Sequence, residues 1–337
     1  MEELERLSLI VRVAQLYYEY KQTQQEIAAA LNLSRPTVCR LLKEAEMKGV
    51  VQVSVVNPLE GLSEIETSLA RSFGLKKVIV IPNFGQREHE IKQRLGEKAA
   101  GFLHSIVRDG DVIAISWGTT LYEAALRIRP KRVGGVKVVQ CNGGIGRTDV
   151  NTHAAEIIER IGGAFNAQSF FLPIPAIVDN REVADMLRND SQIREIMSLL
   201  YTANIALFSV GIPTNNSILV EAGYFTPRDL VELQQKGAVG DICSRYITIE
   251  GEICDPELDA RTIGLELEHL RRPSMYSIAV AGGRAKVPAI IGACRGGYVD
   301  VLITDESAAQ GILAWGIGGG GRGTQPENSE TRGKARG

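Results

Sequence analysis

Apolar residues Ile10, Val13, Ala14 and Tyr17 recur at i, i+3, i+4 and i+7, the spacing of one buried helical face. A second helix is predicted from about Thr23, which can cap it. Glu26, three residues on, completes a capping box, and Ile27, Ala28 and Leu31 are its apolar positions. Asn32-Leu33 reads as a tight turn, because Asn tolerates the left-handed backbone a helix exit needs. Ser34 is a good N-cap for a third helix, with Pro36 in its first turn and Val38, Leu41, Leu42 and Ala45 as its apolar stripe. Gly49 ends the unit, and Val50, Val51, Val53, Val55 and Val56 read as a strand.

The texture then changes. Val78-Ile79-Val80-Ile81, Val112-Ile113-Ala114-Ile115, Val136-Lys137-Val138-Val139, Ile205-Ala206-Leu207-Phe208 and Val301-Leu302-Ile303 are short continuous apolar runs, most of them separated by helical stretches long enough for crossovers. That alternation predicts an α/β domain with a mostly parallel sheet covered on both faces. The expected organisation is therefore an N-terminal winged helix-turn-helix over residues 1–57 and a larger α/β domain over 58–316. The Gly-rich, polar stretch 317–337 cannot bury a core and reads as a disordered tail.

Composition narrows the function classes. Of 337 residues, 44% are apolar and 23% charged, which excludes a disordered or fibrous chain, and no apolar run approaches the ~18 residues a membrane span needs. The acidic, amphipathic N-terminus is not that of a signal peptide. Five scattered cysteines without a C-x-x-C pair read as reduced thiols of a cytoplasmic protein. The four histidines fall in no metal-ligand spacing, so no metal and no cofactor are expected. With 38 Lys and Arg against 40 Asp and Glu, any nucleic-acid contact must come from a local patch.

The third helix carries such a patch. At about 100° per residue, Pro36, Arg40 and Lys43 lie opposite its apolar stripe, while Ser34, Arg35 and Thr37 sit at its N-terminal end. Cations and small hydroxyls are the groups that meet phosphates and purine edges when a helix lies in the major groove. The alternative is an ordinary three-helix subdomain with a solvated basic face. The ordered succession of capped helix, short turn, Ser-capped helix and valine-rich strand favours double-stranded DNA as partner.

In parallel sheets ligands bind outside the carboxyl ends of the strands, so the loops after the apolar runs are the candidate sites. Trp117-Gly118-Thr119-Thr120 follows a strand and opens a helix. Gly118 lets the backbone approach a ligand, and Thr119 and Thr120 add hydroxyls to the N–H groups and dipole of the helix start, a way to hold a phosphate with few charges. Asn142-Gly143-Gly144 also follows a strand and could offer an amide and backbone donors to a sugar. Asp241 is read on a further loop, where its carboxylate would accept bonds from sugar hydroxyls; Glu221 and Arg147 are lesser candidates.

Gln24-Gln25-Glu26-Ile27-Ala28 with Leu33-Ser34-Arg35-Pro36-Thr37-Val38 and Arg40-Leu41-Leu42 resembles the helix-turn-helix of SorC-family sugar-binding transcriptional regulators. Ser116-Trp117-Gly118-Thr119-Thr120, Gln140-Cys141-Asn142-Gly143-Gly144 and Ala281-Gly282-Gly283 with Lys286 are similar to the same family, so the resemblance spans nearly the whole chain up to the tail. It implies a bacterial repressor or activator. Its large domain would resemble ribose-5-phosphate isomerase and glucosamine-6-phosphate deaminase, bind a phosphorylated sugar as effector and assemble dimers or tetramers. It also points to the loop Gly282-Gly283-Arg284-Ala285-Lys286 and makes Lys286 a phosphate partner. Cys39 stands where the resemblance implies Ser and is the weaker donor.

The rival reading is a sugar-phosphate isomerase or deaminase-like enzyme, which needs a poised acid and base beside the substrate. The deaminase-like relatives carry Asp-Gly-His in the loop after a strand ending in Gly. Here Ser209-Val210-Gly211-Ile212 runs into Pro213-Thr214-Asn215-Asn216-Ser217, with no carboxylate or imidazole, and the isomerase-like Asp-Gly-Ala-Asp cluster is absent. A constitutive architectural DNA binder would have no use for so large a second domain. The expectation is a regulator whose pocket retains recognition without catalysis.

Overall fold

The computed structural model describes residues 2–51, 61–83, 87–144 and 151–317. The chain divides into two compact units at the junction of residues 57 and 58. The expected tail (from residue 318), most of the valine-rich strand after Gly49 (residues 52–56) and Arg147 lie outside the described residues.

Among the described residues the first unit holds three α-helices, α1 (Glu2–Ala14), α2 (Gln24–Leu31) and α3 (Arg35–Met47). Their contact surface is the predicted one: Ile10, Val13, Ala14, Ile27, Ala28, Val38, Leu41, Leu42 and Ala45 are buried together. Each buried Leu, Ile or Val contributes about 1.5–3 kcal/mol, the main term holding so small a unit. The caps are local and form as expected. The Thr23 N–H donates to Glu26 Oε2 at 2.8 Å while Thr23 Oγ1 accepts from the Glu26 N–H at 3.3 Å. Asn32 takes φ 53°, ψ 44°, and Ser34 Oγ accepts from the Thr37 N–H at 3.2 Å. One feature is not legible in the spacing. After Ala14 the helix widens into a π turn, Gln15–Glu19, so Tyr17 is only half-buried and sits edge-on to Tyr18. A bidentate pair from Arg6 to Glu44 ties α1 to α3.

The second unit is built on a seven-stranded sheet of order β1-β10-β9-β5-β2-β3-β4. The strands are β1 (Lys77–Ile81), β2 (Val112–Ile115), β3 (Lys137–Gln140), β4 (Gln168–Phe170), β5 (Ile205–Phe208), β9 (Tyr276–Val280) and β10 (Val301–Asp305). All pairs in it are parallel. The alternate residues of each strand enter two different cores. Ile113, Ile115, Val138, Ile205, Leu207, Ile278 and Val280 meet α5 (Glu88–Ile106), α6 (Thr119–Arg127) and α7 (Ala154–Ala164). Ala114, Val139, Ala206, Phe208, Ala279 and Leu302 meet the other face, with residues of α4 (Leu62–Phe73), of helices Arg181–Asn189 and Ser191–Tyr201, and of helices Val287–Arg295 and Glu306–Ile317. Burial on both faces is why these strands read as continuous apolar runs.

A second sheet of three short strands, β6 (Val210–Gly211), β7 (Gly240–Ile242) and β8 (Arg245–Ile247), is antiparallel and stems directly from the end of β5. Cys243 (φ 50°) and Ser244 (φ 69°) form the two-residue turn between β7 and β8, both left-handed without being glycine.

Candidate functional site

On the first unit Ser34, Arg35, Pro36, Arg40 and Lys43 are exposed and Thr37 is half-buried, all on or next to the outward face of α3. Glu44, the acidic residue of that stretch, is engaged by Arg6 and Lys48, which holds its carboxyl below the usual range and leaves the face basic. Arg35, Arg40 and Lys43 make no ion pair among the described residues. Cys39 is half-buried on the same helix.

On the second unit the sheet order identifies one crevice. From β2 the chain winds outward through β3 and β4, then returns to β5 on the other side of β2 and continues through β9 to β10. Strand order reverses between β2 and β5, and ligands of open α/β sheets bind at the carboxyl ends of such strands. The loops after β2, β3, β5 and β9 therefore lie in one row, and they carry the candidate residues.

Gly118 is the N-cap of α6, with φ 132° and ψ 161°, a conformation suited to glycine, and no side chain caps the helix. Thr119 and Thr120 are its first two residues, the former exposed and the latter buried. The helix thus begins two residues earlier than the Leu121 expected from sequence, and its first-turn N–H groups open at the switch point.

Asn142, Gly143 and Gly144 differ from expectation. Asn142 is 1% exposed, its Oδ1 accepts from Ser116 Oγ at 3.0 Å and its Nδ2 donates to Ser244 Oγ at 3.3 Å. The N–H groups of Gly143 and Gly144 donate to the carbonyls of Ile263 and Ile174. None is a free donor; a polar run after a buried strand looks the same whether it faces a ligand or a neighbouring loop. The Asn142 amide is instead a spacer that joins the α6 loop to the β7–β8 turn, and Trp117 Nε1 reinforces it by donating to the Gly143 carbonyl at 3.0 Å.

Asp241 lies on strand β7 and not on a loop. It is half-buried, its Oδ2 accepts from the Ser244 N–H at 3.2 Å, and its carboxylate folds over Gly211 of β6, where a Cβ would collide with it. Burial raises its pKa to about 6, against the opposing pull of the Ser244 N–H and of Lys286. The carboxylate missing from the loop after β5 is thus supplied from another strand. Lys286, in the turn after β9, is half-buried and donates from Nζ to the Val210 carbonyl at 2.6 Å; burial lowers its pKa and Asp241 works against that. Gly283 is not a free donor either. The Gly283 N–H donates to Asp305 Oδ2, and a Cβ on Gly282 would collide with the same carboxylate, so the pair lets the turn pass close over the end of β10. Glu221 is exposed, at the end of the short helix Ile218–Glu221.

Hydrogen bonds run along the carboxyl edge from Ser116, just before α6, through Asn142 and Ser244 to Asp241, and Lys286, bonded to the Val210 carbonyl, acts on Asp241 electrostatically. The edge offers a helix N-terminus, one cation and one carboxylate. Ser116, Ser244 and Val210 were missed from sequence, since their roles arise only when β2, β3 and β5 are adjacent. Among the described residues no helix is long and apolar enough to cross a membrane.

Comparison with known proteins agrees with both units. Residues 57–314 match the family described as "Putative sugar-binding domain", and residues 1–53 match the Homeodomain-like domain family. The chain is 41% identical over 313 residues to the Deoxyribonucleoside regulator of Bacillus subtilis, covering 92% of this chain and 98% of that one. It is 28% identical to the Sorbitol operon regulator of Klebsiella pneumoniae, covering 93% and 100%. The crystal structure of that full-length regulator, SorC, superposes with a TM-score of 0.70 over 91% of this chain and 98% of that chain. A transcriptional regulator from Streptococcus pneumoniae, 26% identical, covers 76% of this chain and 98% of its own with a TM-score of 0.71. These relatives are all transcriptional regulators, and the chain is a regulator rather than an enzyme. With a helix-turn-helix unit followed by a sugar-binding α/β unit over nearly its whole length, the chain belongs to the SorC family of sugar-binding transcriptional regulators.

Proposed function

We propose that operator binding by this regulator is controlled by a phosphorylated sugar held at the carboxyl edge of the sheet. The observation that carries this reading is the placement of an uncapped α6 N-terminus at the β2/β5 switch point, with Lys286 bonded to the Val210 carbonyl just after β5. The phosphate lies against Gly118, Thr119 and Thr120, where helix N–H groups and two hydroxyls converge, and takes its counter-charge from Lys286. Asp241 accepts from the sugar hydroxyls. Asn142, Gly143, Gly144, Gly282 and Gly283 hold the loops in place. The α6 start and the Lys286 cation do not explain recognition of a neutral sugar, and together they match an anionic one.

On the DNA side, Arg35, Arg40 and Lys43 meet the major groove and its phosphates, with Ser34, Pro36 and Thr37 at the approach. Domains follow residues 1–57 and 58–316. The protein acts as a dimer or tetramer, and the effector shifts the large unit between arrangements that space the helix-turn-helix units differently on the operator.

Calorimetry with the phosphorylated and plain forms of one sugar tests the site. The phosphorylated form binds more tightly, and Lys286→Ala lowers its affinity by about 1.5–3 kcal/mol, the range for a hydrogen bond to a charged group, while the variant still folds and binds DNA. Equal affinity for both forms, or an undiminished response in the variant, places the phosphate elsewhere.

A further inference from the structure

Tyr246 stands directly opposite Asp241 in the β7–β8 register, and Gly211 stands opposite Asp241 on its other side. Directly paired residues project from the same face of a sheet. Gly211, Asp241 and Tyr246 thus form one row across the small sheet, with the Asp241 carboxylate in the space over Gly211 and a phenol at Tyr246. Tyr246 is 2% exposed, and its hydroxyl has no hydrogen-bond partner. Two other buried or half-buried tyrosines of the second unit behave differently. Tyr224 OH donates to the Gly144 carbonyl at 3.0 Å and accepts from the Ala176 N–H at 3.2 Å. Tyr298 OH donates to the Gly251 carbonyl at 2.7 Å and accepts from Arg271. Buried phenols are ordinarily bonded in this way, because burial removes the water that would otherwise serve them.

The surroundings of Tyr246 place it beside the effector site. Its ring meets Phe225 edge-on at 5.5 Å and packs with Ala176, Ile177 and Leu219, in the cluster against which Trp117 of the α6 loop also rests. We propose that Tyr246 is a specificity residue of the effector site, and that its hydroxyl and the Asp241 carboxylate together hold one hydroxyl of a phosphorylated sugar. The chemistry of the pair suits that group. An ionised carboxylate only accepts, a phenol can donate, and an alcohol hydroxyl does both at once. A carbon lacking that hydroxyl leaves both protein groups unpaired, which is how a buried polar site rejects deoxy analogues. The ligand reaches the pair from the Asp241 side, the half-buried member. This inference rests on the phosphate reading above and extends it from the anionic end of the ligand to its polyol end.

The test compares wild type, Tyr246→Phe and Lys286→Ala in the full chain by calorimetry, with ribose 5-phosphate, glucose 6-phosphate, their 2-deoxy forms and inorganic phosphate as probes. For the tightest-binding sugar phosphate, Tyr246→Phe weakens affinity about tenfold and leaves inorganic phosphate unchanged, whereas Lys286→Ala weakens both. The unliganded Phe variant melts at the wild-type temperature or above it, since it loses a buried hydroxyl that had no partner. Unchanged sugar-phosphate affinity in Tyr246→Phe overturns the inference while leaving the phosphate site standing. So does a lowered melting temperature with an equal loss for inorganic phosphate, which marks a structural role. Failure of wild type to bind any probe overturns the phosphate reading, and this inference with it.

Discussion

At the residue scale, two side chains report on the two activities. Asp241 is held near pKa 6 by burial, well above its ordinary value of 3.8, so between about pH 4 and 6 the folded chain carries a proton there that the unfolded chain lacks. Stability from this residue therefore rises as pH falls through 6 towards 4 and is least above 6. Wild type should gain melting temperature relative to Asp241→Asn across that window, as calorimetric scans at pH 4.5 and 7.5 would show; a constant difference contradicts the raised value. Arg40 is exposed on α3, away from the core stripe. Arg40→Ala should weaken operator binding by about 1–3 kcal/mol if it reads a base, with the fold unchanged. A gel-shift titration with unaltered affinity would remove Arg40 from the interface.

At the element scale, the start of α6 is the feature most sensitive to a small change. Gly118 has space around it for a Cβ but sits at φ 132°, where an L side chain is strained by about 1–3 kcal/mol. Gly118→Ala should therefore re-aim the first turn of α6 and abolish the effector response while operator binding persists, read as loss of sugar-phosphate-dependent change in a fluorescence anisotropy assay. The elements themselves were unequally legible from sequence. The start of α2, its exit and the start of α3 are legible because their signals are local: Thr23 with Glu26, Asn32, and Ser34 with Pro36. The core strands were readable because both faces are buried. β6, β7 and β8 span two or three residues each, too few for any alternation, so Asp241 was read as a loop residue. The roles of Asn142 and Gly283 were misread for another reason. Whether a polar or flexible residue after a strand serves a ligand or a neighbouring loop depends on which strands are adjacent, and that is a property of strand order.

At the scale of the whole molecule, the helix-turn-helix unit carries seven basic and seven acidic residues over positions 1–57, so a single copy offers little electrostatic attraction to DNA. Linked copies on successive half-sites raise the effective concentration. Light scattering at micromolar protein should show a dimer or larger species, and a monomer that grips a single half-site tightly would contradict this. The sheet adds a matter of timing. Its edge strand β1 pairs with β10, from Lys77 with Val301 to Ile81 with Asp305, more than two hundred residues later. At a synthesis rate of roughly 5–20 residues per second, β1 waits about 10–45 s on the ribosome for its partner, whereas the 57 residues of the helix-turn-helix unit are made in about 3–11 s. Each nascent chain can thus present a folded DNA-reading head before its regulatory sheet is complete. A chain prematurely ended before Val301 would keep the head and leave β1 as an unpaired edge, an unregulated and aggregation-prone fragment that the cell must clear.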